Sequence, residues 1–149
     1  MRRLMHVLGA GLSMALVRPV LAAPLATKDE AMAMVKSAVA FIKKDGPAAA
    51  YAEISNKSCK FVDRDLYVVV YRLDDHVLAH GANAKLVGTD QSDAKDVDGK
   101  AFVQERIALA QKQPSFWQAY KFKNPVTDKV EDKQTYCENT AVCAGVYKF

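Results

Sequence analysis

From residue 27 onward the apolar positions keep first a helical and then a strand rhythm. Thr27-Lys28-Asp29-Glu30 has the form of a capping box, in which an N-cap hydroxyl and the glutamate three residues on satisfy each other's backbone amides. Behind it Ala31, Met34, Val35, Ala38, Val39, Phe41 and Ile42 recur at helical spacing and define one apolar face. Lys43 and Lys44 fall where the negative end of the helix favours cations; Gly46 ends the helix and Pro47 opens a short alanine-rich one that runs to Ile54. The rhythm then changes. Leu66 to Leu73 is a β-branched and aromatic run, Asp74-Asp75 a two-acid turn, and His76 to Asn83 a second, shorter apolar run. Together they predict a β-hairpin whose second arm hands His80 and Asn83 to a Gly-rich loop.

Alternation places Tyr67, Val69 and Tyr71 on one face of the first arm, and Leu66, Val68 and Val70 on the other. Both faces are apolar, so both are expected to be covered. The first helix can cover only one. The long polar segment Gly81 to Gly99 and the helix after it, from Lys100 to Lys112 with Asp98 as its cap, are the candidates for the other. Phe102, Val103, Ile107 and Ala110 give that helix its buried stripe. Strands follow at 116–122, Val130–Cys137 and Ala144–Phe149, with Asn124-Pro125 and Asp128-Lys129 as turn residues. The pattern predicts an α+β domain: a five-stranded antiparallel sheet with a long N-terminal helix on one face and a loop–helix segment on the other.

The first residues belong to a different grammar. Arg2-Arg3, the apolar run from Leu4 to Val17 and the small residues around Val20-Leu21-Ala22 have the form of a cleaved secretory leader. Residues 1–22 are therefore expected to direct export, leaving 23–149 as one periplasmic domain. A bilayer needs about 20 apolar residues in a helix; this run is shorter and Arg18 closes it, so no membrane insertion is expected after cleavage. The leader also carries much of the charge. Losing Arg2, Arg3 and Arg18 lowers the basic residues from 21 to 18 against 17 acidic ones, and the net charge from +4 to +1. No basic stripe remains to suggest nucleic acid or an anionic membrane.

An oxidising compartment permits disulfides, and Cys137 and Cys143 flank a plausible hairpin loop across which they can pair, leaving Cys59 over. With no close cysteine pair, and only His76 and His80 beyond the leader, no metal or cofactor is expected. No nucleophile elbow, zinc-protease helix or phosphate-binding loop occurs. Asp90, Asp93, Asp96 and Asp98 lack calcium-loop spacing. An enzyme is not expected; the one reading that would make it so uses His80 as a general base.

A binding reading gathers Tyr67, Tyr71, His80, Asn83, Trp117, Tyr120, Lys133 and Tyr136 around one cavity beneath the long loop. Hydroxyls, an imidazole and an ammonium group suit a small organic anion. Taken singly, each tyrosine is more simply a core residue and Lys133 a solvated charge.

Several segments, in one order, carry a family resemblance. Asp65-Leu66-Tyr67-Val68 through Ala79-His80-Gly81-Ala82-Asn83, then Lys85-Leu86-Val87-Gly88, resemble the extracytoplasmic single Cache domains. Asp98-Gly99-Lys100-Ala101-Phe102, Trp117-Gln118-Ala119-Tyr120, Asn124-Pro125-Val126-Thr127, Lys133-Gln134-Thr135-Tyr136 and Gly145-Val146-Tyr147 continue it. The resemblance implies a PAS-like sheet with a ligand pocket opposite the N-terminal helix. It also implies sensing of small molecules, often short carboxylates or amino acids, for chemotaxis receptors and sensor kinases. Because Phe149 follows the last strand directly, any signal is expected to pass through a separate membrane partner. The alternative is a structural or interaction protein with a vestigial pocket.

Overall fold

A computed structural model describes residues 24–57, 60–138 and 141–147. The expected leader and Cys59 lie outside the described residues.

Helix α1 (Lys28–Asp45) starts as the sequence predicts: the amide of Glu30 donates to Thr27 Oγ1 and the Thr27 amide donates to the Glu30 carboxylate at 2.7 Å. Ala31, Val35, Ala38 and Val39 bury its inner face. Helix α2 (Pro47–Ser55) follows directly after Gly46, which sits at φ 86°. The strands are β1 (Val62–Asp63), β2 (Leu66–Tyr71), β3 (Val77–His80), β4 (Ser115–Lys123), β5 (Val130–Glu138) and β6 (Val142–Val146). They form one antiparallel sheet in which β2, β6, β5 and β4 are successive neighbours, while β3 and the two-residue β1 both pair with β2. The five expected strands are there, with β1 added at one end of β2.

Strand β2 is buried along its whole length because both sheet faces are covered. Leu66, Val68 and Val70 pack with α1 and α2; Val69 and Tyr71 pack with Phe102, Val103 and Ile107 of α3 (Phe102–Ala110). Leu86 and Ala94 of the long loop join that second layer. The layering fits the two-sided hydrophobicity of the strand.

Two local expectations are corrected. Helix α3 begins at Phe102 rather than Lys100, with Ala101 at its N-cap and no side-chain cap. Asp96, not Asp98, organises the approach: its Oδ1 accepts the amides of Asp98 and Lys100, at 3.0 and 2.9 Å, and its Oδ2 accepts the amide of Lys121 at 3.0 Å. The loop is thereby tied to the outer edge of β4. The last strand also begins earlier than expected, at Val142. Cys137 and Cys143 are register partners on β5 and β6 and are joined by a disulfide.

At the other end of the molecule Asp65, fully buried, accepts the amide of Ala26 at 2.8 Å, and Arg64 donates to the carbonyl of Pro24 at 3.0 Å. The chain entering α1 is thus pinned to the start of β2.

Candidate functional site

Beneath α3 and the long loop, the sheet face carries polar groups that a core would normally exclude. Arg106 is 1 % exposed. Its place follows from helical spacing: four residues after Phe102 and three after Val103, it shares their buried stripe. Its Nε donates to Gln118 Oε1 at 3.0 Å, and Gln118 in turn donates to the carbonyl of Phe102 at 2.8 Å and to Glu105 Oε2 at 2.6 Å. The guanidinium carbon stands 5.0 Å from the ring of Tyr120, 5.2 Å from Tyr71 and 5.6 Å from Phe102. Nη2 is buried without a hydrogen-bond partner. Buried donors are normally satisfied, so this nitrogen is left able to donate to an incoming acceptor.

Lys133 lies directly across from Tyr120 in the β4–β5 register and is 2 % exposed. Its ammonium donates to the hydroxyl of Tyr67 at 2.8 Å and to that of Tyr147 at 3.2 Å. The reach depends on Gly145 of β6, where a Cβ would come within 2.8 Å of Lys133 Cε. Tyr147 is itself fixed, donating to the carbonyl of Lys123 at 2.8 Å. Among the described residues neither Arg106 nor Lys133 makes an ion pair with a carboxylate; the ion pairs present, such as Lys100–Glu105 and Lys123–Asp128, involve exposed groups.

Tyr67 leads outward. His80 stacks on it, with ring centroids 5.2 Å apart and planes at 22°, and both line a cavity of about 310 Å³ together with Asn83, Leu86 and Phe122. The tight turn after β3 places two amides, of Ala82 and Asn83, where they donate to His80 Nδ1 at 3.2 and 3.0 Å. Nδ1 is thus an acceptor, and the ring proton sits on Nε2. Burial, then the nearby Lys133 and Arg106 charges, hold the imidazole well below its ordinary value, at about 4. His80 is therefore neutral at pH 7, with its Nδ1 lone pair engaged by two amides and its Nε2–H arranged to donate.

The same two cations act on the phenols. Burial would raise Tyr120, but Lys133 and Arg106 outweigh it and bring the group down to about 8. Tyr67 and Tyr147 are pushed up, chiefly by burial. The site is a buried, strongly cationic cluster framed by aromatic rings. Such a cluster favours an anion through charge-assisted hydrogen bonds.

Of the residues singled out in the sequence, Tyr67, Tyr71, His80, Tyr120 and Lys133 come together on this face. Asn83 stands at the exposed rim, where its Oδ1 accepts the amide of Lys85 at 3.2 Å. Trp117 and Tyr136 do not join them. They are register partners on the α1 face, with ring centroids 5.3 Å apart; Trp117 faces Lys28, and the Tyr136 hydroxyl donates to Glu138 at 2.7 Å. Strand alternation dictates this, since Trp117 is three residues from Tyr120 and Tyr136 three from Lys133. Arg106, Gln118 and Tyr147 were missing from the expected set. A second hollow, of about 260 Å³, lies on the α1 side among Val39, Ile42, Tyr51 and Leu78.

The sequence from residue 15 to 142 matches the family model described as Single Cache domain 2. The chain belongs to that family. Among curated proteins, none matches this Cache domain. Solved structures share its fold. A methyl-accepting chemotaxis protein from Vibrio parahaemolyticus is 22 % identical, with a TM-score of 0.69 over 80 % of this chain and 87 % of that one. A Cache chemosensory domain described for its carboxylic acid recognition is also 22 % identical, with a TM-score of 0.70 over 81 % of this chain and 92 % of that one. The periplasmic sensor domain of a chemotaxis protein is 20 % identical, with a TM-score of 0.60 over 79 % and 86 %. No helix among the described residues is long and apolar enough to cross a membrane.

Proposed function

We propose that this Cache domain is a periplasmic sensing module that binds a small organic carboxylate between α3 and the sheet. The observation that carries the reading is Arg106: a buried guanidinium whose Nη2 has no partner, boxed by Tyr71, Phe102 and Tyr120. A guanidinium offers a planar fork matched to a carboxylate, and an unpaired buried charge is costly until a counter-ion arrives. Lys133, Tyr120 and Tyr67 then surround the acid, and the His80 cavity is its way in. The carboxylic acid recognition described for one similarly folded Cache domain supports this choice of ligand.

Thermal melts against acetate, propionate, glycolate and succinate test it. A ligand that binds only the native state raises stability by about 2.7 kcal/mol at one hundred times its Kd. No shift with any of the acids at millimolar concentration would overturn the proposal. The periplasmic part rests on the leader-like residues 1–22 and is checked by sequencing the exported protein, whose first residue should be Ala23.

A further inference from the structure

The surroundings of Lys133 have the composition of a site for a ligand's ammonium group. Its Nζ lies 4.0 Å from the ring centroid of Tyr67, 4.5 Å from that of Tyr147 and 5.6 Å from that of Phe122. Rings gathered around a cation in this way are how proteins recognise ammonium ligands. Here the cation is the chain's own. Two of its three N–H groups donate to Tyr67 and Tyr147, which leaves one for an incoming acceptor.

We propose that Lys133 determines specificity: it occupies the aromatic box in place of a ligand ammonium, so the pocket takes carboxylates without an amino group and rejects amino acids. This rests on the carboxylate reading above. The charges around the pocket agree with it. Arg106 and Lys133 present two buried cations. The acids nearby are already engaged: Asp128 at the cavity mouth pairs with Lys123 at 2.6 Å, and Glu105 accepts from Gln118 and Lys100. The buried Asp65 gives one oxygen to the Ala26 amide and its Oδ2 has no partner, but Asp65 does not line the cavity beside Tyr67 and His80. An α-ammonium entering beside the carboxylate would meet like charge, with no unpaired acid among the cavity's lining residues to receive it. Rejection of this kind comes from a repulsive element rather than from a missing contact.

Calorimetric titration of the whole protein at pH 7 with two matched pairs, propionate against alanine and succinate against aspartate, tests it. The acid without nitrogen should bind at least about 100-fold more tightly than its amino counterpart, the scale that like-charge juxtaposition produces. An amino acid that binds as well as its partner overturns the specificity proposal and leaves the carboxylate site standing. If no member of either pair binds, both fall. Lys133→Met keeps the stem within the rings and removes the charge; it should narrow the acid-to-amino-acid ratio by about tenfold or more. An unchanged ratio in a folded Lys133→Met or Lys133→Gln protein removes Lys133 from the role.

Discussion

Tyr120 and Lys133 face each other across β4 and β5, and the lysine is the larger of the two positive influences that bring the tyrosine down to about 8 against the opposing effect of burial. A phenol in that range titrates within reach of ordinary buffers.

The first consequence is a pH limit on binding. Above pH 8 the Tyr120 phenolate neutralises part of the cationic cluster, so affinity for a carboxylate should fall, by up to about tenfold per pH unit. Titrations at pH 7 and 9 measure it, and Tyr120→Phe should flatten the profile. Stability moves the other way. The folded value lies below the unfolded value of about 10, so the contribution of Tyr120 to stability grows between pH 8 and 10.

Arg106 separates binding from folding. Arg106→Met removes a buried charge that has no carboxylate partner, and with it the cost of keeping that charge out of water. Against that gain, the buried Gln118 Oε1 loses its donor, which costs about 1–3 kcal/mol. Urea unfolding without ligand should therefore change by no more than about 1 kcal/mol, while ligand-dependent stabilisation disappears. A loss of several kcal/mol in the ligand-free protein would make Arg106 a structural residue instead.

His80 sets an acid limit. Its folded value of about 4 lies below the ordinary 6.5, so the unfolded chain takes up the proton first. The contribution is complete above pH 6.5 and is lost as the pH falls toward 4, by roughly 3 kcal/mol in all. His80→Asn keeps an acceptor near the amides of Ala82 and Asn83 but does not titrate. Urea unfolding at pH 7 and 4.5 should show a smaller drop in the variant than in the parent.

Gly145 is held by space, not by backbone conformation, since its φ is not positive. A Cβ there would press hardest on Thr135 Oγ1 and would also come within 2.8 Å of both Gln134 O and Lys133 Cε. Gly145→Ala should cost about 1–3 kcal/mol and displace the lysine from the tyrosines. Chemical denaturation gives the first quantity and carboxylate titration the second.

The layers were legible because both faces of β2 are apolar, and the start of α1 because its capping box is complete. The site was legible only in part, for reasons of period. Trp117 and Tyr136 share a composition with the pocket residues but sit at odd spacing from Tyr120 and Lys133, and a period of two sends them to the other face. Arg106 was passed over because a charge on a helix reads as solvated, although its spacing from Phe102 and Val103 places it inward. The α3 start was misplaced because Asp98 has the right chemistry for a cap, while Asp96 makes the bonds that shape the loop. Tyr147 was read only as part of the Gly145-Val146-Tyr147 segment; its place beside Lys133 comes from the fold bringing β6 beside β5.

The unpartnered Nη2 of Arg106 reaches beyond affinity. A chain that keeps a buried guanidinium with one donor unmet is least secure when empty, and a bound acid relieves that cost. Ligand supply would then govern how often the domain opens, and an open domain is what proteases cut. The number of sensors present would follow the compound they detect, through turnover alone and without any change in synthesis.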